Sequence, residues 1–480
     1  MKRTSLAEIA DQCPGALMVD ATATDEIVKV TGVNHDSRSV AQGDLFACIS
    51  GAEHDGHSYA IEAINGGAVA LLVDRELNLA IPQIVVPDVR KAIGFASAAV
   101  YGHPSKQIKV IGITGTAGKT TVAQALAETL KACGESAGVI GTLEGSHTTP
   151  EAPEFQKKLS QMQSRGDEWV CVEVSSHGLE FGRVQGTEFA ASVFTNLSPE
   201  HLDFHKDMEQ YFLAKRRLFD QGSGLAVVSV ADEWGKRLVR ELQEIGHQGL
   251  VAVEPNMVEH PKLDVQRSSF VWRGHKIRTR LLGRFNLSNL LLVGETLKGL
   301  GLEEEMIASG LEKVQPVKGR MELVTDPGSE IAVIVDYSHK PEALAQALRT
   351  LRTISSGHVW VVFGAGGDRD PQKRPLMGQI AAELADEVVV TSDNPRSEDP
   401  SHIAQQIVSG MDERSTGPKV LLERAEAIQF AVNHAATGDS VLIAGKGHET
   451  YQITGSEQRP FDDTKVAQEA LLKRVGTQHS

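Results

Sequence analysis

Glycine, lysine and two threonines in a row, placed where a strand gives way to a helix, are suited to holding a chain of phosphates. They occur here in Ile111-Gly-Ile-Thr-Gly-Thr-Ala-Gly-Lys-Thr-Thr121. An apolar run, 108–113, leads into the stretch and an amphipathic run, 120–133, leads out. Gly115 and Gly118 let the backbone curl so that N–H groups face an anion, the helix N-terminus adds partial positive charge, and Lys119 adds a full one. The Thr120 hydroxyl suits magnesium. The strict phosphate-loop pattern asks for glycine where this chain has Ile113, so the stretch alone points to a nucleotide but not to a reaction.

A second candidate is Glu173, which interrupts the apolar strand 168–174. A buried carboxylate needs a partner, since leaving it alone costs several kcal/mol or shifts its pKa. Magnesium beside a triphosphate is one such partner, because hard cations prefer oxygen ligands; a buried salt bridge is the other. Nearby runs end in Ser175-Ser-His177 and Thr195-Asn-Leu-Ser-Pro-Glu-His-Leu-Asp203, which brings in His201, and the helical run 208–219 carries Lys215. Further on, four polar clusters follow apolar runs: Asp336-Tyr-Ser-His339, Gly364-Ala-Gly-Gly-Asp-Arg-Asp370, Asp393-Asn-Pro-Arg396 and Gly445-Lys-Gly-His-Glu449. In open parallel sheets ligands sit beyond the carboxyl ends of the strands, so four clusters at one edge read as one site.

Positioning these residues takes several layers. A chain of 480 residues exceeds one core. Its first hundred residues read as short strands (43–51, 68–73, 83–87) and a helix over 59–65, with polar turns at His35-Asp-Ser and His54-Asp-Gly-His57. From 108 onward strands alternate with helical runs, the pattern of parallel sheets. The last part has strands at 331–335, 359–363, 387–391, 420–422 and 440–444, with helices at 341–351, 375–384, 401–411 and 425–435, and a frayed tail after Arg474. The fold class is α/β, with two doubly wound sheets. A formal charge of −15 argues against a nucleic-acid surface but not against a small anionic ligand in a local basic pocket. Cys13, Cys48, Cys133 and Cys171 show neither zinc-ligand nor disulfide-framework spacing. The N-terminus lacks a signal-peptide core and no apolar run reaches the ~20 residues of a membrane span, so a cytoplasmic location is expected.

Together with Thr148-Thr-Pro150, Gly283-Arg-Phe-Asn286 and Gly319-Arg-Met-Glu322, these motifs follow one another as in the Mur ligases, the ATP-dependent amide-forming enzymes of peptidoglycan assembly, and the chain resembles that family over nearly its whole length. The resemblance implies three domains: 1–107 for the UDP-substrate, 108–320 as a central ATPase-like parallel sheet, and 321–480 as a Rossmann-like sheet for the amino acid. It implies ATP binding by Gly115, Thr116, Ala117, Gly118, Lys119, Thr120, Thr121, Asn286, Arg320, Asp336 and His339. Magnesium would be served by Thr120, Glu173, His201 and a carbamylated Lys215, with Lys119, His201 and Lys215 as the catalytic set; from the residues alone, a plain surface lysine is the alternative for Lys215. His35, Ser37, Ala52, Glu53 and His54 correspond to the uridine region, and His147, Thr148, Thr149, Ser175 and Arg183 to the muramoyl-dipeptide region. Ala117, His147 and Phe181 depart from the commoner family residues Asn, Asn and Gln, and Phe181 is left out of the site for that reason.

The implied reaction phosphorylates the D-glutamate side-chain carboxylate of UDP-N-acetylmuramoyl-L-alanyl-D-glutamate and lets an amine displace the phosphate. Arg369, Asp393, Asn394, Pro395, Arg396, Gly445 and Glu449 correspond to the amine donor's pocket. An arginine fork at 396 matches the far carboxylate of meso-diaminopimelate and repels the ammonium that lysine would present there. A lysine-adding sibling and a nucleotide-dependent switch protein are the alternatives, and a monomer is expected.

Overall fold

The computed structural model describes residues 4–19, 28–51, 54–143, 145, 147–220, 224–326, 328–411 and 417–478. These fall into two compact units, one comprising 1–257 with 291–310, the other 258–290 with 311–480.

The first unit holds two large sheets. The smaller has the order Leu17–Val19, Gln83–Val85, Ala70–Val73, Asp44–Ala47, Gly32–Asn34, and only its first strand runs antiparallel to its neighbour. Its core is Ile9, Val33, Leu45, Leu72 and Ile84, joined by Ile93 and Ala96 of the helix Val89–Val100. The larger sheet is wholly parallel, in the order Leu250–Val253, Leu225–Ser229, Ala191–Phe194, Lys109–Thr114, Trp169–Glu173, Ala137–Ile140. Helices cover both faces, which is why its strands read as continuous apolar runs rather than as alternation. Strand order reverses at Lys109–Thr114: the chain first builds to one side and then to the other. The register levels Glu173 with Ile113 and Phe194 with Thr114, so the loops after three neighbouring strands open at one edge.

The second unit contains a three-stranded antiparallel sheet, Glu259–Leu263, Ser268–Trp272, His275–Thr279, which the sequence did not announce. Its largest sheet has the order Glu322–Leu323, Ala332–Asp336, Ser440–Ala444, Val359–Phe363, Glu387–Val390, Lys419–Val420, parallel but for the first strand.

Most expected elements are present, with displaced ends. The helix expected from Pro375 starts at Lys373, because proline fits anywhere in a first turn, where its missing N–H has no intrahelical acceptor to lose. The strand expected at 420–422 is Lys419–Val420. The tail does not fray at Arg474: the helix Asp463–Gln478 continues past it. Its Ala467 and Ala470 pack on Ala427, Ile428 and Ala431, and Asp463 is locked to Arg424 by a bidentate pair at 2.7 Å in which both side chains are fully buried. Among the described residues no helix is long and apolar enough to cross a membrane.

Candidate active site

The glycine-rich loop leaves the strand Lys109–Thr114 and enters the helix Lys119–Ala132 through two left-handed or near-left-handed glycines, Gly115 at φ 149° and Gly118 at φ 85°. A side chain at 115 would meet Thr195 Oγ1 at 1.9 Å, so this position is closed to any larger residue. The loop is clasped from the next strand end. Ala117 N donates to Asn196 Oδ1 and Asn196 Nδ2 donates back to Ala117 O, both at 3.0 Å, while Thr116 N donates to the Asn196 carbonyl at 2.9 Å. The amides of Thr116 and Ala117 are therefore engaged, and the donors that suit an anion are those of the helix's first turn, which have no intrahelical acceptors. Lys119 lies over the loop, its Nζ donating to the carbonyls of Gly115 and Thr116 at 2.8 Å.

Glu173 is 1% exposed and accepts from Thr120 Oγ1 at 2.8 Å, Thr142 N at 2.9 Å and Thr142 Oγ1 at 3.3 Å. Its partners are hydroxyls and an amide; the salt-bridge alternative finds no cation within ion-pair distance among the described residues. Oxygen donors at the foot of a phosphate-type loop are the chemistry that magnesium prefers. Among those residues no group of three or more His, Cys, Asp or Glu side chains gathers to hold a metal.

Lys215 is not a surface lysine. It is 1% exposed, on the helix Met208–Asp220, with Nζ donating to the Gly115 carbonyl at 2.8 Å and lying 4.6 Å from the centre of the Tyr211 ring. Burial holds its pKa well below the usual lysine value, Lys119 pushes it the same way, and Glu200 opposes them. His201 has a left-handed backbone, φ 55°, and packs edge-on to His177 at 4.9 Å between ring centres; His177 in turn stacks on Phe204 at 4.2 Å.

The dipeptide candidates gather beside Glu173. Thr149, fully buried, donates to the Glu173 carbonyl at 2.9 Å and lies 3.1 Å from Ser175 Oγ, which caps Gly178 N at 3.0 Å. Thr148 Oγ1 is 3.1 Å from Thr142 Oγ1, and Arg183 reaches the Thr149 carbonyl at 3.0 Å and Glu151 at 2.5 Å. His147 is exposed. Of the uridine candidates, His35 and Ser37 follow the strand Gly32–Asn34 and His54 follows its parallel neighbour Asp44–Ala47, so both loops leave one edge of the smaller sheet. His35 and His54 are exposed, and Ala52 and Glu53 lie outside the described residues.

In the second unit the expected edge forms. Lys446 Nζ, fully buried, donates to Asn394 Oδ1 at 3.0 Å and sits 3.6 Å from both Asp393 and Glu449; Asn394 Nδ2 donates to Glu449 Oε2 at 3.0 Å. Burial raises the Glu449 pKa, against the pull of Lys446. Gly445, at φ 121°, admits no side chain without crowding the Asp393 carboxylate at 2.7 Å. Arg396 is half-buried at φ 50°, follows Pro395, and donates from Nη1 to the Gly367 carbonyl at 2.7 Å; Arg369 is exposed on the neighbouring loop. Asp336 accepts from Met321 N at 2.7 Å and Ser338 N at 2.9 Å, and the Arg320 guanidinium lies 4.6 Å from the Tyr337 ring centre. His339 has its pKa lowered by burial. Asn286 is buried near the start of the helix Arg284–Gly299, with Nδ2 on the Leu282 carbonyl at 2.9 Å. Asn286, Arg320, Asp336 and His339 belong to this unit, the phosphate-type loop to the other.

Three family models match the chain in succession: the Mur ligase family catalytic domain at 29–131, the Mur ligase middle domain at 113–296, and the Mur ligase glutamate ligase domain at 319–447. UDP-N-acetylmuramoyl-L-alanyl-D-glutamate–2,6-diaminopimelate ligase of Syntrophomonas wolfei is 40% identical over 470 residues, which cover 93% of this chain and 96% of that one. The chain belongs to the Mur ligase family. The protein of the same name from Gloeobacter violaceus is 42% identical over 475 residues, 93% of this Mur ligase and 95% of its relative. A solved structure of a ligase of that name matches with a TM-score of 0.74 at 31% identity, covering all of both chains.

Several residues that shape this Mur ligase's site went unnoticed in the sequence. Thr142 and Tyr211 sit within unremarkable runs, and only folding brings Thr142 to Glu173 and puts the Tyr211 hydroxyl 3.2 Å from Thr116 Oγ1. Phe181, set aside for not being glutamine, has two guanidinium groups near its ring, Arg90 at 5.0 Å and Arg183 at 5.6 Å from the ring centre. Asn196 was legible as a strand-end polar residue, but its grip on the loop was not. Replacing Asn196 by alanine removes two side-chain hydrogen bonds and is expected to cost about 1–3 kcal/mol. Thermal unfolding should register that loss and ATP titration should show weaker binding; wild-type values in both would remove the clasp from the account.

Proposed function

We propose that this chain is the ATP-dependent ligase that adds meso-diaminopimelate to UDP-N-acetylmuramoyl-L-alanyl-D-glutamate, a cytoplasmic step of peptidoglycan precursor synthesis. The observation that carries the reading is the cluster of Asn394, Arg396, Gly445 and Glu449 at one sheet edge, in a chain that also builds a phosphate-type loop. The names of its relatives, at about this identity over nearly the full chain, support it.

In this reading residues 1–107 take the UDP moiety, 108–320 the ATP, and 321–480 the amino acid. The first-turn amides of the helix Lys119–Ala132 and the Lys119 ammonium receive the phosphates, Lys119 turning from the loop carbonyls it now holds. Asn286, Arg320, Asp336 and His339 are the second unit's candidate residues for the nucleotide. Phosphoryl transfer to the D-glutamate side-chain carboxylate brings two anions together, so the loop dipoles and Lys119 must neutralise charge as it moves. Thr120, Glu173, His201 and a carbamylated Lys215 would hold magnesium, which when bound supplies charge stabilisation on the phosphate oxygens. Carbamylation needs a neutral amine, and burial shifts Lys215 toward that form by lowering its pKa. The amine of diaminopimelate then attacks the acyl carbon, the amide forms, and phosphate leaves. Arg396 and Arg369 face the far carboxylate and Glu449 the far ammonium.

The deciding measurement is phosphate release from ATP in the presence of magnesium. Release that requires both the UDP-muramoyl dipeptide and diaminopimelate is expected. Release with lysine in place of diaminopimelate would assign the lysine-adding sibling activity, and release with neither substrate would assign a switch.

A further inference from the structure

Arg374 is fully buried although it lies only one residue into the helix Lys373–Leu384, and none of its partners is the substrate of any proposed step. Its guanidinium forms a fork on Glu398, Nη1 to Oε2 at 2.8 Å and Nη2 to Oε1 at 2.9 Å. Nη1 also donates to Gln406 Oε1 at 2.6 Å, and Nη2 to the Gly366 carbonyl at 3.1 Å. Glu398 passes the tie on, accepting from Asp368 N at 2.6 Å, and Ser397 donates to the Asp368 carboxylate at 2.5 Å. One buried cation thus joins the loop 364–370 to the loop 393–398. The Gly367 carbonyl, between the two tied residues Gly366 and Asp368, accepts from Arg396 Nη1 at 2.7 Å.

The packing leaves little slack. A Cβ at Gly367 would lie 1.8 Å from the Pro395 carbonyl, and one at Gly366 would lie 3.1 Å from Arg396 Nη1. Gly367 N donates to the Asn394 carbonyl at 2.9 Å, and the Arg396 backbone is held by Ile453 O at 3.1 Å and Gly455 N at 2.6 Å. With its main chain fixed in a left-handed conformation, the direction of the Arg396 side chain depends on where Gly367 O lies. An ion pair with only its cation buried is a weak source of stability compared with apolar packing, but the bidentate fork holds the two side chains in one geometry. The fork also keeps Glu398 ionised, with its pKa down at about 2.

We propose that Arg374, with Glu398, is a positioning pair for amino-acid selection: it sets the register of the two loops so that the Arg396 guanidinium meets a carboxylate at the far end of the incoming amino acid. This rests on the diaminopimelate reading of the pocket. Arg374 touches no substrate itself; lysine at 374 would keep a charge but lose the fork that binds Glu398, Gln406 and Gly366 together.

The test is steady-state kinetics of Arg374→Lys and Glu398→Gln with each substrate varied in turn. A misaimed Arg396 is expected to raise the KM for diaminopimelate roughly 10- to 100-fold and to narrow the preference for diaminopimelate over lysine. The KM values for ATP and the UDP-muramoyl dipeptide should stay at wild type. Each variant combined with Arg396→Ala should be no worse than Arg396→Ala itself. A general loss of structure would lower the melting temperature and change all three KM values together, and that result overturns the proposal. So does a folded Arg374→Lys with wild-type KM for diaminopimelate; if that variant does not fold, Glu398→Gln, whose side chain is partly exposed, gives the same reading. Unchanged diaminopimelate turnover in Arg396→Ala would instead overturn the pocket assignment on which the pair depends.

Discussion

Replacing Arg396 by alanine is expected to abolish most diaminopimelate-dependent turnover while leaving ATP affinity intact. The far end of diaminopimelate carries both a carboxylate and an ammonium, where lysine carries only the ammonium. At the edge of the second unit Arg396 offers a planar fork that spends one N–H on the Gly367 carbonyl, and Glu449 offers a carboxylate oriented by Asn394 at 3.0 Å. Such an arrangement discriminates twice: it attracts the carboxylate and it repels an ammonium placed in the same position. Truncating one member of a desolvated charge pair costs roughly 2–5 kcal/mol, or about 30-fold to several thousand-fold in kcat/KM. Kinetics with diaminopimelate and a separate ATP titration check both halves. Unchanged turnover would sink the assignment of this edge to diaminopimelate.

Lys215→Ala is the second large loss expected. The side chain is buried against the Gly115 carbonyl and the Tyr211 ring, where a permanent ammonium is costly and the neutral amine is favoured. A neutral amine can add carbon dioxide and release a proton, forming a carbamate that would place a negative charge at the base of the phosphate loop. If Lys215 carries the carbamate, alanine removes that anion, and the loss of one preorganised charge-stabilising group is expected to lower kcat roughly 10²–10³-fold. It also leaves a void, so short carboxylic acids such as acetate or propionate should restore part of the rate in a concentration-dependent way. Full activity of Lys215→Ala without any added acid would count against carbamylation. Mass spectrometry under carbon dioxide trapping gives an independent reading on the wild-type chain.

The order of motifs along the chain, the alternation of strands and helices, and the crowding of polar residues after apolar runs were all legible in the residues. Local chemistry writes these features: a glycine that must turn left-handed, a lysine at a helix start, an apolar strand that must be covered on both faces. The loop around Lys119, the expectation that Glu173 needs a partner, and the four clusters from Asp336 to Glu449 came from such rules. The antiparallel strands between Glu259 and Thr279 did not, because short, half-exposed strands carry a weak pattern and are stabilised by pairing rather than by propensity. The end of the chain was misjudged for a related reason. The helix that carries this polar-looking tail runs to Gln478, and its Ala467, Ala470 and Asp463 find partners on a helix some forty residues earlier.

By itself, then, the sequence determined which residue types could do phosphate, metal and carboxylate chemistry, and in what order the elements carrying them come. Only the tertiary structure decided which of them meet. It put Thr142 beside Glu173, buried Lys215, made Asn196 the clasp of the loop, and ran Arg374 beneath the loops that carry Arg369 and Arg396. Apart from the Arg374–Gly366 hydrogen bond, which spans eight positions, these contacts join residues about 20 to 100 positions apart. Their strength comes from burial and from hydrogen-bond geometry that exists only once the sheets have formed, so no local pattern could record them.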